Sequence, residues 1–181
     1  MRAASLFERA MGERFWQLDP AVQRFHRLQG RHCLAGEVTT RAPASRLAWL
    51  LALCLGAPRH AGRGPIRFEL DAAPAVETWT RHFPGRTMRS RLSADPDGVA
   101  EVLGPLHLSF ALTARDGALE MRLTRLALWR IVCPRRLMPR VQARESGDAG
   151  RLNFTVEAAL PAIGLVARYE GHLALAGQVP S

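Results

Sequence analysis

The chain has 181 residues, 48% of them hydrophobic, enough to bury a sizeable core and short enough to favour one domain over residues 1–181. Basic residues number 25 against 16 acids, a formal charge of +9 with an isoelectric point near 11.3, which ordinarily points to nucleic acid or an anionic membrane. Every one of those basic residues is arginine, however, and a GC-rich coding bias produces the same skew, so charge by itself selects no partner.

Taken in order, the chain opens on a capping box. Ser5 and Glu8 supply it, and Leu6, Phe7, Ala10, Met11, Phe15 and Leu18 then recur at three- and four-residue steps, predicting an amphipathic helix that ends near Asp19-Pro20. Pro20 to Leu28 reads as a second short helical turn carrying Val22, Phe25 and His26. Arg31 to Arg41, interrupted by Gly36, reads as a first strand. Ala44 to Leu55 is made of helix formers with Gly56 as C-cap and Pro58 behind it; its apolar residues run nearly all round, so it is expected to be well covered.

From Pro65 onward the hydrophobic period becomes two. Ile66, Phe68 and Leu70 alternate with polar residues, Pro74 breaks the run, and Val76 to Phe83 resumes it. Pro84-Gly85, Asp95-Pro96-Asp97-Gly98, Gly104-Pro105 and Asp116-Gly117 are turn signals separating short strands, the last a strong hairpin signal. The alternation after Leu119 changes phase at Arg125-Leu126, which predicts a bulge. Cys133 to Pro139 reads as a connecting loop, and Leu152 to Ala158 and Leu165 to Leu173 as two final strands. The expectation is an α+β fold: residues 1–60 a helical segment with one strand, residues 61–181 an antiparallel meander of eight or nine strands, curved into a half-barrel or barrel to protect its edges.

Cys33, Cys54 and Cys133 are odd in number and lack any CxxC, so neither a disulfide framework nor a zinc knuckle is indicated. Charged residues within the first fourteen positions argue against a secretory leader, and the longest apolar run, Leu47 to Leu55, is nine residues against the roughly 20 that a spanning helix needs. A cytoplasmic location is expected.

One stretch sets ionisable groups among rings. With strand periodicity Glu77, Trp79, Arg81 and Phe83 share a face, and Arg81 must there find water or a carboxylate. Glu101, between Val99 and Leu103 on another alternating run, is the nearest partner. The two either hold the head of a carboxylate- or phosphate-bearing ligand or form a structural salt bridge; Trp79, Phe83 and Tyr169 either line a pocket or are plain core. His82 and Ser90 lie near one turn without the context of a nucleophile and its base, and no histidine spacing suits a metal. His26 reads as hydrogen-bonded core. Between Glu120 and Glu145 stand seven arginines and no acid, a segment that suits an anionic lipid, a nucleotide phosphate or an acidic partner, with Arg135, Arg136 and Arg140 as its anion-binding candidates. Nucleic acid fits less well, since Trp129 is the one aromatic interleaved there.

Several segments together resemble a bacterial family known only as a domain of unknown function, family 4166. They are Glu77-x-Trp79-x-Arg81-x-Phe83-x-Gly85, Ser90, Glu101-x-x-Gly104-Pro105, Leu160-Pro161-x-x-Gly164 and Tyr169-x-Gly171, with Leu6-Phe7 to Gly12, His26, Leu137-x-Pro139 and Ala143-x-Glu145 also similar. In that family the domain stands alone or is joined to a reductase resembling saccharopine dehydrogenase. The resemblance implies no activity, and the chain departs from it at Cys133 to Met138, where the family carries a loop richer in proline and tryptophan.

The first functional reading is a non-catalytic binding module without cofactor or metal. A small, partly apolar, acidic ligand would sit in the curved sheet against Trp79, Arg81, Phe83, Ser90, Glu101 and Tyr169. The second is an enzyme with Glu101 as acid or base and Arg81 holding an anionic substrate. In the third, an interaction domain docks to a reductase through the arginine-rich segment.

Overall fold

The computed structural model describes residues 3–148 and 150–175. Strands β1 (Gly30–Arg41), β2 (Gly62–Ala73), β3 (Val76–Phe83), β4 (Arg86–Asp95), β5 (Gly98–Leu103), β6 (Leu106–Arg115), β7 (Ala118–Leu128), β9 (Arg140–Asp148), β10 (Arg151–Leu160) and β11 (Gly164–Ala174) form one antiparallel sheet. A two-residue β8 (Ile131–Val132) hangs on β7. The sheet closes because β7 pairs both with β6 and with β9, so ten strands make a barrel and no strand of the ten is left as an edge. The expected α+β barrel is therefore present and closed.

Strand pleat decides what lies inside. Along β3 every second residue, Glu77, Trp79, Arg81 and Phe83, is buried, and Ile66, Phe68, Leu70 and Ala72 of β2 do the same beside them. Asp116 and Gly117 both adopt positive φ, 50° and 77°, the two-residue turn that suits the twist of β6 and β7. The predicted bulge is found one residue early: Ser109 faces Arg125 and Phe110 faces Leu123, leaving Thr124 as the extra residue.

Two helices and a 3-10 turn close one end of the barrel. The α1 helix (Leu6–Met11) starts at the Ser5/Glu8 capping box, but Gly12, at φ 57°, ends it early, and Gly12–Gln17 continues as a 3-10 turn rather than as the single long helix expected from the periodicity. After it comes α2 (Pro20–His26). Asp19 fixes this connection to the barrel: its N–H donates to the Gly117 carbonyl at 2.6 Å, and its carboxylate accepts from Gly147 N–H at 2.9 Å. Phe7, Phe15, Val22 and Phe25 fill the end they cover.

At the opposite end, α3 (Arg46–Cys54) departs from expectation. It is not covered all round; only Ala48 and Ala52 are buried, against Val166 and Ala167 of β11, while Leu47, Trp49 and Leu50 are exposed. Small residues let the helix axis approach the sheet, which turns its large side chains outward. The strands also outnumber those expected from the sequence, because β8 is only two exposed residues long and β9 carries little apolar alternation.

The β1–β11 seam depends on close backbone approach. A β-carbon built on Gly36 would overlap the His172 carbonyl oxygen, and one on Gly171 would overlap that of Glu37. Gly171→Ala is expected to cost about 3 kcal/mol, at the upper end for single substitutions, with a lowered urea midpoint as the measurement. An unchanged midpoint would mean the seam yields to a methyl group.

Candidate functional site

The barrel encloses a cavity of about 350 Å³. Most of its wall is apolar, from Phe68, Phe110, Met121, Leu152 and Phe154 among others, and it reaches Pro105, Leu128, Pro139 and Leu160 at the end away from the N-terminal helices. The β7–β9 ladder pairs only four residues, Leu119 to Arg122 with Gln142 to Glu145, so the wall parts beyond it, beside Leu126 and Val141.

Arg81 stands in this wall. Alternation along β3 turns it inward, and the register that sets Trp79 opposite Ser90 and Leu92 opposite Glu101 brings its partners to the same face. Arg81 donates to Ser90 Oγ at 3.1 Å, and its guanidinium lies 3.5 Å from Glu101 Oε1. The rings of Trp79 and Phe68 sit under its cationic carbon at 5.1 and 5.9 Å. Its charge is thus met from several sides, yet the contact with Glu101 is long, and a guanidinium has five N–H donors to place.

Trp79, Arg81, Glu101 and Tyr169 line the cavity. Two other predicted residues stand behind that lining: Ser90 steadies Arg81, and Phe83 packs edge-on against Tyr169 at 5.0 Å between centroids. Burial pushes the Tyr169 phenol above its ordinary value, with Arg81 opposing that rise. Arg135 and Arg136 are exposed on the connection between β8 and β9, and Arg140 is exposed at the start of β9; none of the three lines the cavity. His82 and Ser90 fall on opposite faces of the sheet: His82 lies outside, its Nε2 3.2 Å from Glu69 Oε1.

Deeper in, His26 is the hydrogen-bonded core residue expected from the sequence, and its partner, Glu145, is the residue that the sequence did not mark. His26 Nε2 and Glu145 Oε2 are 2.6 Å apart and both residues are buried, the first on α2, the second on β9. Close by, Glu77 accepts from Trp79 Nε1 at 2.9 Å, and Trp79 packs against Phe7, Phe25, His26 and Phe68. Burial raises the Glu77 carboxyl above the ordinary carboxylate value; His26 and the indole N–H pull it down, Glu145 adds to the rise. Among the described residues, three carboxyls, Glu77, Glu101 and Glu145, therefore share the interior with one guanidinium and one imidazole. Strand β9 was the missing signal. Its inward residues, Val141, Ala143, Glu145 and Gly147, offer no apolar alternation; only the quoted Ala143-x-Glu145 pattern marked the place.

A search of curated proteins finds no match to this chain. The family model described as "Domain of unknown function (DUF4166)" matches residues 18–173. Among solved structures, the chain is similar to the crystal structure of Rv2717c from M. tuberculosis, at 13% identity and a TM-score of 0.46, over 88% of this chain and 99% of that one.

Glu77 gives a pH signature. Its folded-state pKa is raised, so the folded protein holds this proton more tightly than the unfolded one, and Glu77 lowers stability as pH rises above the unfolded carboxylate value, about 4.3. Glu77→Gln keeps an acceptor for Trp79 and removes the titration. The difference in unfolding free energy between variant and parent should favour the variant at pH 7 and shrink towards pH 4. Denaturant titrations across that range measure it, and a constant difference would deny Glu77 the role.

Proposed function

We propose that this chain, which belongs to the DUF4166 family of domains of unknown function, is a non-catalytic bacterial cytoplasmic module that holds a small, mostly apolar ligand by a carboxylic acid head. The reading is carried by one observation: among the described residues, one guanidinium, Arg81, held by a hydrogen bond to Ser90 and a 3.5 Å contact with Glu101, is set in the wall of a mostly apolar cavity of about 350 Å³. That volume is at the low end of the usual range for small-molecule sites, about 300–1,000 Å³. A carboxylate fits the flat fork of Arg81, and the hydrocarbon remainder fits the wall.

Glu101 decides the protonation chemistry. A ligand carboxylate beside Arg81 would put two like charges near one cation, and two carboxylates sharing a site keep a proton between them. Binding therefore takes up about one proton. The enzyme reading uses the same pair but gains no support from its neighbours: among the described residues, Ser90 Oγ accepts from Arg81 and no histidine on its face stands ready as its base.

Native mass spectrometry of protein purified from its own host should show a co-purifying acid. In calorimetry, decanoic acid should bind about ten- to a hundredfold more tightly than decanol, the range of a hydrogen bond to a charged group. Buffers of different ionisation enthalpy should reveal the proton uptake. Arg81→Leu should erase the preference for the acid while leaving decanol binding in place. Equal affinity of the parent for acid and alcohol, or no binding of either, would overturn the assignment.

A further inference from the structure

The barrel end that the N-terminal helices leave uncovered presents large apolar side chains to water. At the tip of the β7–β8 hairpin Trp129 is 72% exposed and Ile131 75%, with Leu128, Val132 and, further on, Leu137 also exposed. Trp129 and Arg130, both at positive φ, form the turn that thrusts them outward. Across the same end, Leu47, Trp49 and Leu50 of α3 are exposed as well. Patches of this kind mark interaction sites in soluble proteins.

Charge is sorted along the barrel axis. Around the hairpin stand Arg125, Arg130, Arg135, Arg136 and Arg140, all exposed and none in an ion pair among the described residues; nearer the middle of the barrel wall Arg122 is exposed and Arg144 pairs with Glu120 at 2.5 Å. No acid occurs between residues 121 and 144 or between residues 38 and 68. The six aspartates, by contrast, are all at the other end: Asp71, Asp95, Asp97, Asp116 and Asp148 in or beside its turns, and Asp19 in the connection between its helices. Coding bias enriches arginine everywhere, but it cannot gather the aspartates at one end of a fold.

We propose that this end of the barrel docks on an anionic lipid bilayer, with Trp129, Ile131 and Val132 entering the headgroup boundary and the surrounding arginines facing lipid phosphates. An indole beside aliphatic residues and arginines is the composition that settles at that boundary, apolar body inward and charge in the polar layer. Nucleic acid would use the arginines but leave Ile131, Val132 and Leu137 without a role.

Co-sedimentation of the full chain with vesicles tests this, using phosphatidylcholine alone and phosphatidylcholine mixed with phosphatidylglycerol. The chain should bind the mixed vesicles, ignore the neutral ones, and lose binding as salt rises. Each arginine near the surface contributes about fivefold in partition, so Arg135→Glu with Arg136→Glu and Arg140→Glu should weaken it by at least about a hundredfold. Trp129→Ser with Ile131→Ser should weaken it by about tenfold or more. These positions are exposed, and an unchanged circular dichroism spectrum verifies the fold. Equal binding to both vesicle types, or variants that bind like the parent, would overturn the proposal. Retardation by duplex DNA with no vesicle binding would assign the surface to nucleic acid instead.

Discussion

Much of the interior answers to one constraint, a guanidinium held inside a hydrophobic barrel. An unpaired ion there costs several kcal/mol, and the fold meets Arg81 with a hydroxyl, a carboxylate and two aromatic faces drawn from β2, β3, β4 and β5. Those strands are consecutive antiparallel neighbours, so a meander alone brings the four partners to one place. The same register that positions Ser90 and Glu101 also turns Phe83 onto Tyr169, which ties this polar cluster across the barrel to β11.

That cluster was legible in the sequence because strand alternation is a two-residue rule. Once Glu77, Trp79, Arg81 and Phe83 were read on one face, the inward arginine followed, and Glu101 between two apolar residues was its natural partner. The His26–Glu145 pair was not legible, for two physical reasons. Its partners are 119 residues apart, joined by closure of the barrel rather than by any local pattern. Moreover β9 turns an alanine, a glutamate and a glycine inward, so hydrophobic periodicity had nothing to register. The exposure of α3 escaped for the opposite reason: an all-round apolar helix predicts burial, whereas small residues at Ala48 and Ala52 let the helix approach the sheet by one narrow face. Gly12, likewise, stopped a helix that side-chain spacing alone would have continued.

Composition and arrangement carry different information about the charge. An arginine-only basic set reports the coding sequence as much as the protein. Position is another matter, since turns at the two ends of a barrel are equally exposed and equally tolerant of aspartate. Aspartates at one end and unpaired arginines at the other give the molecule an axial polarity that orients it near an anionic surface before contact is made.

The two ends also differ in how they are finished. At the helical end, Asp19 joins two hairpins to the α1–α2 connection and four apolar side chains fill the opening. At the other end β7 and β9 separate after four paired residues, the cavity reaches Leu128 and Pro139, and the tip beyond carries tryptophan and isoleucine into water. A chain selected only for a stable core would gain by covering those groups, at about 25 cal/mol for each Å² removed from water. Leaving them uncovered makes sense where something else covers them. A bilayer at that opening would also let an apolar ligand pass between membrane and cavity without crossing water, which joins the exposed hairpin and the buried arginine into one route.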